Sequence, residues 1–190
     1  MDDLEEAITS YREVLSLLPL GFPERSGCLN NLAGAVLCHY NQSGRMEDLE
    51  EVIAFYREVL TLRALGHPDH PTFLNNLANA VRTRYKQLGK MEDLEEAITS
   101  HQKALTLLPP GHQNHAMCLN NLAGAFLSRY QQLGKMKDLE DAITSYREAL
   151  TFRPPGHLLR SMSLTNLGNA LSTCHEHLGR MKDLEDHVVS

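Results

Sequence analysis

The sequence predicts an all-α fold, an α-solenoid built from antiparallel helix pairs. The motif M-x-D-L-E begins at Met1, Met46, Met91, Met136 and Met181, always at an interval of 45 residues. Within each interval, apolar residues recur at helical spacing in two stretches that proline and glycine separate. A single helix pair cannot bury its apolar stripe, so neighbouring pairs must stack to form the core.

The period also predicts the domain organisation. We expect a single solenoid over residues 1–190, since the repeats leave no room for a separate domain. Its repeats are 1–45, 46–90, 91–135 and 136–180, followed by the start of a fifth at 181–190.

The first helix of each repeat follows the M-x-D-L-E motif. Its apolar face in the first repeat includes Leu4, Ile8, Tyr11 and Leu15. An aspartate followed three residues later by a glutamate predicts an N-cap, and this pairing occurs at Asp3 and Glu6, Asp48 and Glu51, and Asp93 and Glu96. The segments LLPLG, LRALG, LLPPG and FRPPG predict the loops that end these helices.

The second helix contains the heptapeptide LNNLAGA at residues 29–35 or its equivalent. Leu29, Leu32, Val36 and Tyr40 lie on one face, which should be the packed face. Glycine favours the left-handed conformation that ends helices, so we expect the helix to stop at Gly44. The same stop is expected at Gly89, Gly134 and Gly179.

Composition narrows the class of protein. The net charge is −6 with acids and bases interspersed, which argues against nucleic acid as a partner. No apolar run is long enough for a membrane span, and the opening MDDLEEAITS is not a signal peptide. We therefore expect a cytoplasmic protein with no membrane partner.

Neither a metal site nor a catalytic site is predicted. Cys28, Cys38, Cys118 and Cys174 have no CxxC spacing and are interpreted as packed free thiols. The histidines of GHPDHP and GHQNH fall in loops and are interpreted as turn residues rather than ligands. No nucleophile or phosphate-binding motif occurs, so we expect no enzyme activity and no cofactor.

The helix motifs resemble those of the tetratricopeptide repeat. The string N-L-G-N-A stands at residues 166–170, and A-I…Y…A-L…P runs from Ala142 to Pro154. The 45-residue unit is longer than the usual one, and it is similar to the long repeats of kinesin light chains and to repeat arrays in fungal signalling proteins. The resemblance implies a right-handed superhelix whose concave groove binds a peptide or a partner helix. It also implies a non-catalytic scaffold, such as the sensing part of a larger signalling protein.

The asparagine-containing helix should line that groove. Beside the packed face lies a row that varies between repeats: Asn30, Gly34 and Leu37; Asn75, Asn79 and Arg82; Asn120, Gly124 and Leu127; Thr165, Asn169 and Ser172. A second column is the same in all four repeats: Asn31, Asn76, Asn121 and Asn166. The varying row suits ligand contact. The invariant column suits either a hydrogen bond that fixes helix register or a ladder that pairs with a peptide backbone.

The ends of the chain add an alternative function. The chain starts on what the family counts as the second helix of a repeat, and it stops shortly into another. We expect either a piece of a longer array or copies that associate head to tail through uncapped apolar ends. The alternative to groove binding is thus a structural unit that stacks end to end and has no separate ligand.

Overall fold

The computed structural model of the protein describes residues 2–63, 66–109 and 111–188, with side chains over 3–63, 66–109 and 111–179. Helices account for the regular structure, and no strand occurs in those ranges. The helices are α1 (Asp2–Leu17), α2 (Pro23–Ser43), α3 (Met46–Leu62), α4 (His70–Leu88), α5 (Met91–Leu107), α6 (His115–Leu133), α7 (Met136–Thr151) and α8 (Arg160–Val188). The prediction of an all-α fold with two helices in each repeat is confirmed.

The chain divides into two compact units. Unit 1 is Met1–Leu107 and contains α1 to α5, and unit 2 is Leu108–Ser190 and contains α6 to α8. Within each unit, every helix packs against the next one along the chain. None of the helices described is long and apolar enough to cross a membrane.

The core of unit 1 is formed by the apolar faces that helical spacing predicts. Its main cluster of buried residues draws on four helices, because each apolar stripe is covered by neighbouring helices. The members are Ile8, Leu32, Ala33, Val36, Tyr40, Leu49, Val52, Ile53, Tyr56, Leu77, Ala80 and Val81.

Glycine ends three of the four longer helices as predicted. Gly44, Gly89 and Gly134 have φ angles of 69°, 67° and 66°, and each N–H donates to a tyrosine carbonyl four residues earlier at 2.7 Å. The prediction is wrong at Gly179, through which α8 continues to Val188. Glycine adopts right-handed helical angles as well as left-handed ones. In the earlier repeats the left-handed glycine lets the next helix turn back and pack against the helix that it ends. Such a turn is not needed after α8, because no helix follows it in the described part of the chain.

The predicted aspartate N-caps are also wrong. Helix α3 begins at Met46, and its N-cap position is Arg45, which makes no side-chain capping bond. Asp48 and Asp93 lie in the first turn instead and are buried, and each pairs with a side chain nine residues earlier, Asp48 with His39 and Asp93 with Arg84. Asp138, which was not predicted to be a cap, pairs in the same way with Arg129. Asp3 lies inside α1 and is exposed. A buried carboxylate is stabilised more by such a partner than by capping a turn that water can reach.

Candidate functional site

The varying row of unit 1 lies on α2 and α4 and is partly accessible. Asn30, Leu37, Asn79 and Arg82 are half-buried. At Gly34, an added Cβ would meet no atom within 4 Å, so the helix surface is open there. This part of the row therefore combines amides, one apolar side chain and one guanidinium that a ligand can reach.

Three members of the varying row lie below the surface. Asn75 is 1% exposed and Asn120 is 8% exposed, so neither amide is available to a ligand. Gly124 is buried on α6 as well. In unit 2, the Asn120 Oδ1 atom accepts hydrogen bonds from Asn166 Nδ2 at 3.3 Å and from Ser163 Oγ at 3.4 Å. Asn120 thus links α6 to α8, which differs from the ligand contact expected for this row.

The invariant asparagines make contacts between helices at two positions. Asn166 bonds to Asn120 as described. Burial raises the pKa of Tyr56 on α3, and the neighbouring Asn76 side chain opposes that shift. Both contacts agree with the register interpretation of this column. Asn31 is exposed and Asn121 is half-buried.

The remaining predicted residues are in unit 2. Thr165, Asn169 and Ser172 are exposed on α8, and Leu127 is half-buried on α6. The structure therefore places most of the predicted row at or near the surface of each unit, with the buried Asn75, Asn120 and Gly124 as the exceptions.

The charge around Arg82 sets this part of α4 apart. Lys86 lies one helical turn further on, and the charge of Arg82 lowers the pKa of Lys86, with burial as a smaller cause. On α5, burial and then Arg82 lower the pKa of His101 to about 3. The charge of Arg82 therefore acts on both of these neighbouring basic groups. Sequence reasoning missed Lys86, although its spacing of four residues from Arg82 places both on one face.

His67 and His112 are turn residues, as predicted, whereas His70 and His115 are the first residues of α4 and α6. The backbone N–H of Asp69 donates to His67 Nδ1 at 3.2 Å, and that of Asn114 donates to His112 Nδ1 at 3.1 Å. His157 accepts in the same way from Leu159. No group of three or more His, Cys, Asp or Glu side chains that could hold a metal ion occurs among the described residues.

The cysteines differ in their surroundings. All four are free thiols, with Cys28 and Cys118 buried, Cys174 half-buried and Cys38 exposed. Burial raises the pKa of Cys118 to about 11. The packed-thiol interpretation holds for the two buried residues, whereas Cys38 lies on the surface of α2.

Paired helices that recur every 45 residues, with polar side chains on the second helix of each pair, define an α-helical repeat protein. The Tetratricopeptide repeat family model matches residues 26–72, 72–113 and 115–156, which is more than half of the chain. The chain therefore belongs to the tetratricopeptide repeat family. Such repeats generally serve as non-catalytic scaffolds for protein interactions.

Solved structures show the same fold. BtubC (BKLC) from P. vanneervenii is 22% identical with a TM-score of 0.67, over 97% of this chain and 75% of that one. A putative kinesin light chain from Podosopora anserina with nearly identical TPR-like repeats is 19% identical with a TM-score of 0.65, over 96% and 84% of the two chains. MamA is 17% identical with a TM-score of 0.56, over 94% and 92%. A search of curated protein sequences finds no match.

Proposed function

We propose that the accessible row on α2 and α4 binds a peptide or helix that carries carboxylates. The observation that supports this most directly is the positive potential that Arg82 creates at Lys86 and His101. A partner carboxylate would lower the repulsion between Arg82 and Lys86 and form a charge-assisted hydrogen bond.

The amides beside Arg82 suit a peptide backbone. Asn30, Asn31 and Asn79 each offer a donor and an acceptor, which match the N–H and C=O groups of an extended chain without reading its sequence. Leu37 adds an apolar contact.

We further propose that residues 1–190 act as one binding domain, on the basis of the unbroken 45-residue period. We propose that this domain is the sensing part of a larger signalling protein in the cytoplasm.

Peptide selection followed by charge reversal tests the proposal. Peptides selected from a displayed library on the immobilised protein should be rich in Asp and Glu or end in a free carboxylate. The double change Arg82→Glu and Lys86→Glu should weaken the selected peptides about tenfold or more, the loss expected for a charged hydrogen bond. Fluorescence anisotropy at two salt concentrations would measure this.

Arg12→Glu with Arg57→Glu is the matched control. Arg12 and Arg57 pair with Glu51 and Glu96, so reversing both changes the net charge equally without touching the proposed surface. Asn75 is kept unchanged, because replacing its buried amide would affect folding, and a loss of binding would then have two explanations. Equal affinity for the double variant and the wild type would show that this row is not the binding surface.

A second candidate function, end-to-end assembly, is favoured by a different observation. Leu164 and Leu171 are 47% and 39% exposed on α8, although the equivalent Leu29 and Val36 of α2 are each 1% exposed. On α1, Val14 is exposed whereas the equivalent Val59 is buried. We propose that α1 of a second copy covers the α8 face, which would make a head-to-tail contact.

Sedimentation over a concentration series tests assembly. The wild type should show a mass that rises with concentration, and Leu164→Gln with Leu171→Gln should suppress this rise. Leu178→Gln is the control, because the equivalent Leu88 and Leu133 are exposed too. A wild type that stays monomeric at every concentration would exclude this function.

A further inference from the structure

A surface cavity of about 390 Å³ lies in unit 1 between the start of α4 and the end of α5. Its walls are His70, Leu74, Lys103, Thr106 and Leu107, and they are predominantly apolar. His70 is 5% exposed, and its Nδ1 atom has no hydrogen-bond partner among the described residues. This volume is at the lower end of the roughly 300–1,000 Å³ of small-ligand pockets.

The equivalent place one repeat earlier is filled by an ion pair. Arg25 stands where His70 does, and Glu58 stands where Lys103 does. The Arg25 Nε atom is 2.8 Å from Glu58 Oε1, and Arg25 Nη1 also donates to the carbonyls of Leu15 and Leu18. The chain itself supplies a carboxylate at this position.

The equivalent place one repeat later, in unit 2, is filled by an aromatic ring. His115 stands where His70 does, and Phe152 stands where Leu107 does. The two rings are stacked with their centroids 5.0 Å apart and an interplanar angle of 26°. The Nδ1 atom of His115 also has no described partner, but Phe152 covers the face of its ring.

The cavity between α4 and α5 contains neither an ion pair nor a stacked aromatic ring. Lys103 replaces the glutamate and Leu107 replaces the phenylalanine, so His70 faces a lysine across a predominantly apolar space. A ligand that supplied both missing parts would place a carboxylate near the Lys103 ammonium. It would place a ring against Leu74, Leu107 and the imidazole.

We infer that this cavity binds a small aromatic monocarboxylate, an aryl ring joined to a carboxylate by a short chain. Burial of the ring supplies hydrophobic stabilisation, and the carboxylate pairs with the Lys103 ammonium at the edge of the cavity. The site is separate from the row proposed to bind peptides, since it lies at the beginning of α4 whereas Arg82 lies near its end. A free aromatic acid and the C-terminal phenylalanine of a polypeptide present the same chemistry.

Titration of the full chain with 3-phenylpropionate, followed by calorimetry and NMR, tests the site. We expect saturable binding with perturbed signals from His70, and at least tenfold weaker binding of 3-phenylpropanamide, which keeps the ring but lacks the carboxylate. A tripeptide ending in free phenylalanine distinguishes the sources: tighter binding than 3-phenylpropionate indicates a polypeptide terminus, and weaker binding indicates a free acid.

Two substitutions should close the site in the ways that the neighbouring repeats do. Lys103→Glu supplies a carboxylate as Glu58 does, and Leu107→Phe supplies a ring as Phe152 does. Each substitution should weaken the binding of 3-phenylpropionate at least tenfold. Because Lys103 is exposed, its replacement tests the site even if Leu107→Phe impairs folding.

Glu148→Lys is the matched control, because it changes an exposed charge at the equivalent position of unit 2. This variant should bind 3-phenylpropionate like the wild type. The double variant Arg82→Glu with Lys86→Glu should do so too, because it changes only the surface proposed to bind peptides. The cavity and the peptide surface are therefore tested independently of each other. Absence of saturable binding, equal binding of the amide, or unchanged affinity in Lys103→Glu would overturn the inference.

Discussion

Arg84 of α4 and Asp93 of α5 form a two-pronged ion pair around the turn at Gly89. The Arg84 Nε atom is 2.9 Å from Asp93 Oδ2, and Arg84 Nη2 is 2.6 Å from Asp93 Oδ1. Arg84 Nη1 also lies 2.6 Å from Glu50 Oε2, so the same guanidinium connects α3, α4 and α5. These hydrogen bonds, chiefly the one with Asp93, raise the pKa of Arg84.

Asp93→Asn should therefore destabilise the protein strongly. The Asp93 side chain is 6% exposed, so the change leaves a mostly buried guanidinium with the exposed Glu50 as its remaining charged partner. We expect a loss of about 3 kcal/mol in the free energy of unfolding, measured with urea. Glu51→Gln, which removes an exposed partner of Arg12, should cost less than about 1 kcal/mol. Similar losses in the two variants would contradict a special role for the buried pair.

Buried His101 should make stability depend on pH. Its pKa is about 3 in the folded protein against an ordinary value of 6.5. Between these values the unfolded chain binds one more proton, so stability is complete above pH 6.5 and falls as the pH drops toward 3. The slope from this group approaches about 1.4 kcal/mol for each pH unit.

His101→Phe should remove that part of the slope. Neither ring nitrogen of His101 has a hydrogen-bond partner in the described structure, so an apolar ring sacrifices no bond. Urea unfolding between pH 5 and 7 measures the change, above the range in which carboxylates titrate. His175→Phe, at an exposed position of α8, is the control and should keep the wild-type slope. An unchanged slope in His101→Phe would assign the pH dependence to other groups.

Gly34→Ala should stabilise the protein by about 0.5–1 kcal/mol, because glycine is the poorer residue inside a helix. The new Cβ would meet no atom within 4 Å, so no clash offsets the gain. Thermal unfolding measures the change in stability. If the row on α2 and α4 holds a peptide backbone closely, this more stable variant should also bind the selected peptides less tightly. A lower melting temperature would show that the helix surface is not open at Gly34.

The thiols should react in the order of their exposure. Cys38 is exposed, whereas Cys118 is 1% exposed and its pKa is raised to about 11. Because the thiolate is the nucleophile, a disulfide reagent should label Cys38 first in the native protein and Cys118 only on unfolding. Cys38→Ser should eliminate the fast phase, while Cys118→Ser should leave it. A fast phase that survives Cys38→Ser would contradict this order.

The repeat and its helices could be predicted from local features. The 45-residue period, the apolar spacing and the glycine stops depend on residues close together in sequence, and the structure confirms them at Gly44, Gly89 and Gly134. The aspartate caps were wrong because the motif Asp-x-x-Glu does not reveal a partner nine residues earlier. Only the folded turn brings Arg84 and Asp93 together.

The candidate surface could be predicted only in part. Helical spacing identified the face that carries Asn30, Asn79 and Arg82, and these side chains are partly accessible. The same spacing could not distinguish the burial of Asn75 from the partial exposure of Asn76, because that difference depends on how closely the neighbouring helices pack.

The sequence by itself determined that this protein is an array of helix pairs, since periodicity and helix ends are properties of the chain within a few turns. The tertiary structure decided which equivalent residues are covered. Leu29 and Leu164 occupy the same position of the repeat, yet the first is buried and the second is exposed. His70 and Arg25 are equivalent as well, yet a glutamate fills the space beside Arg25, and an open cavity lies beside His70. Burial depends on the neighbour that packs against a residue, and a repeat motif does not specify that neighbour.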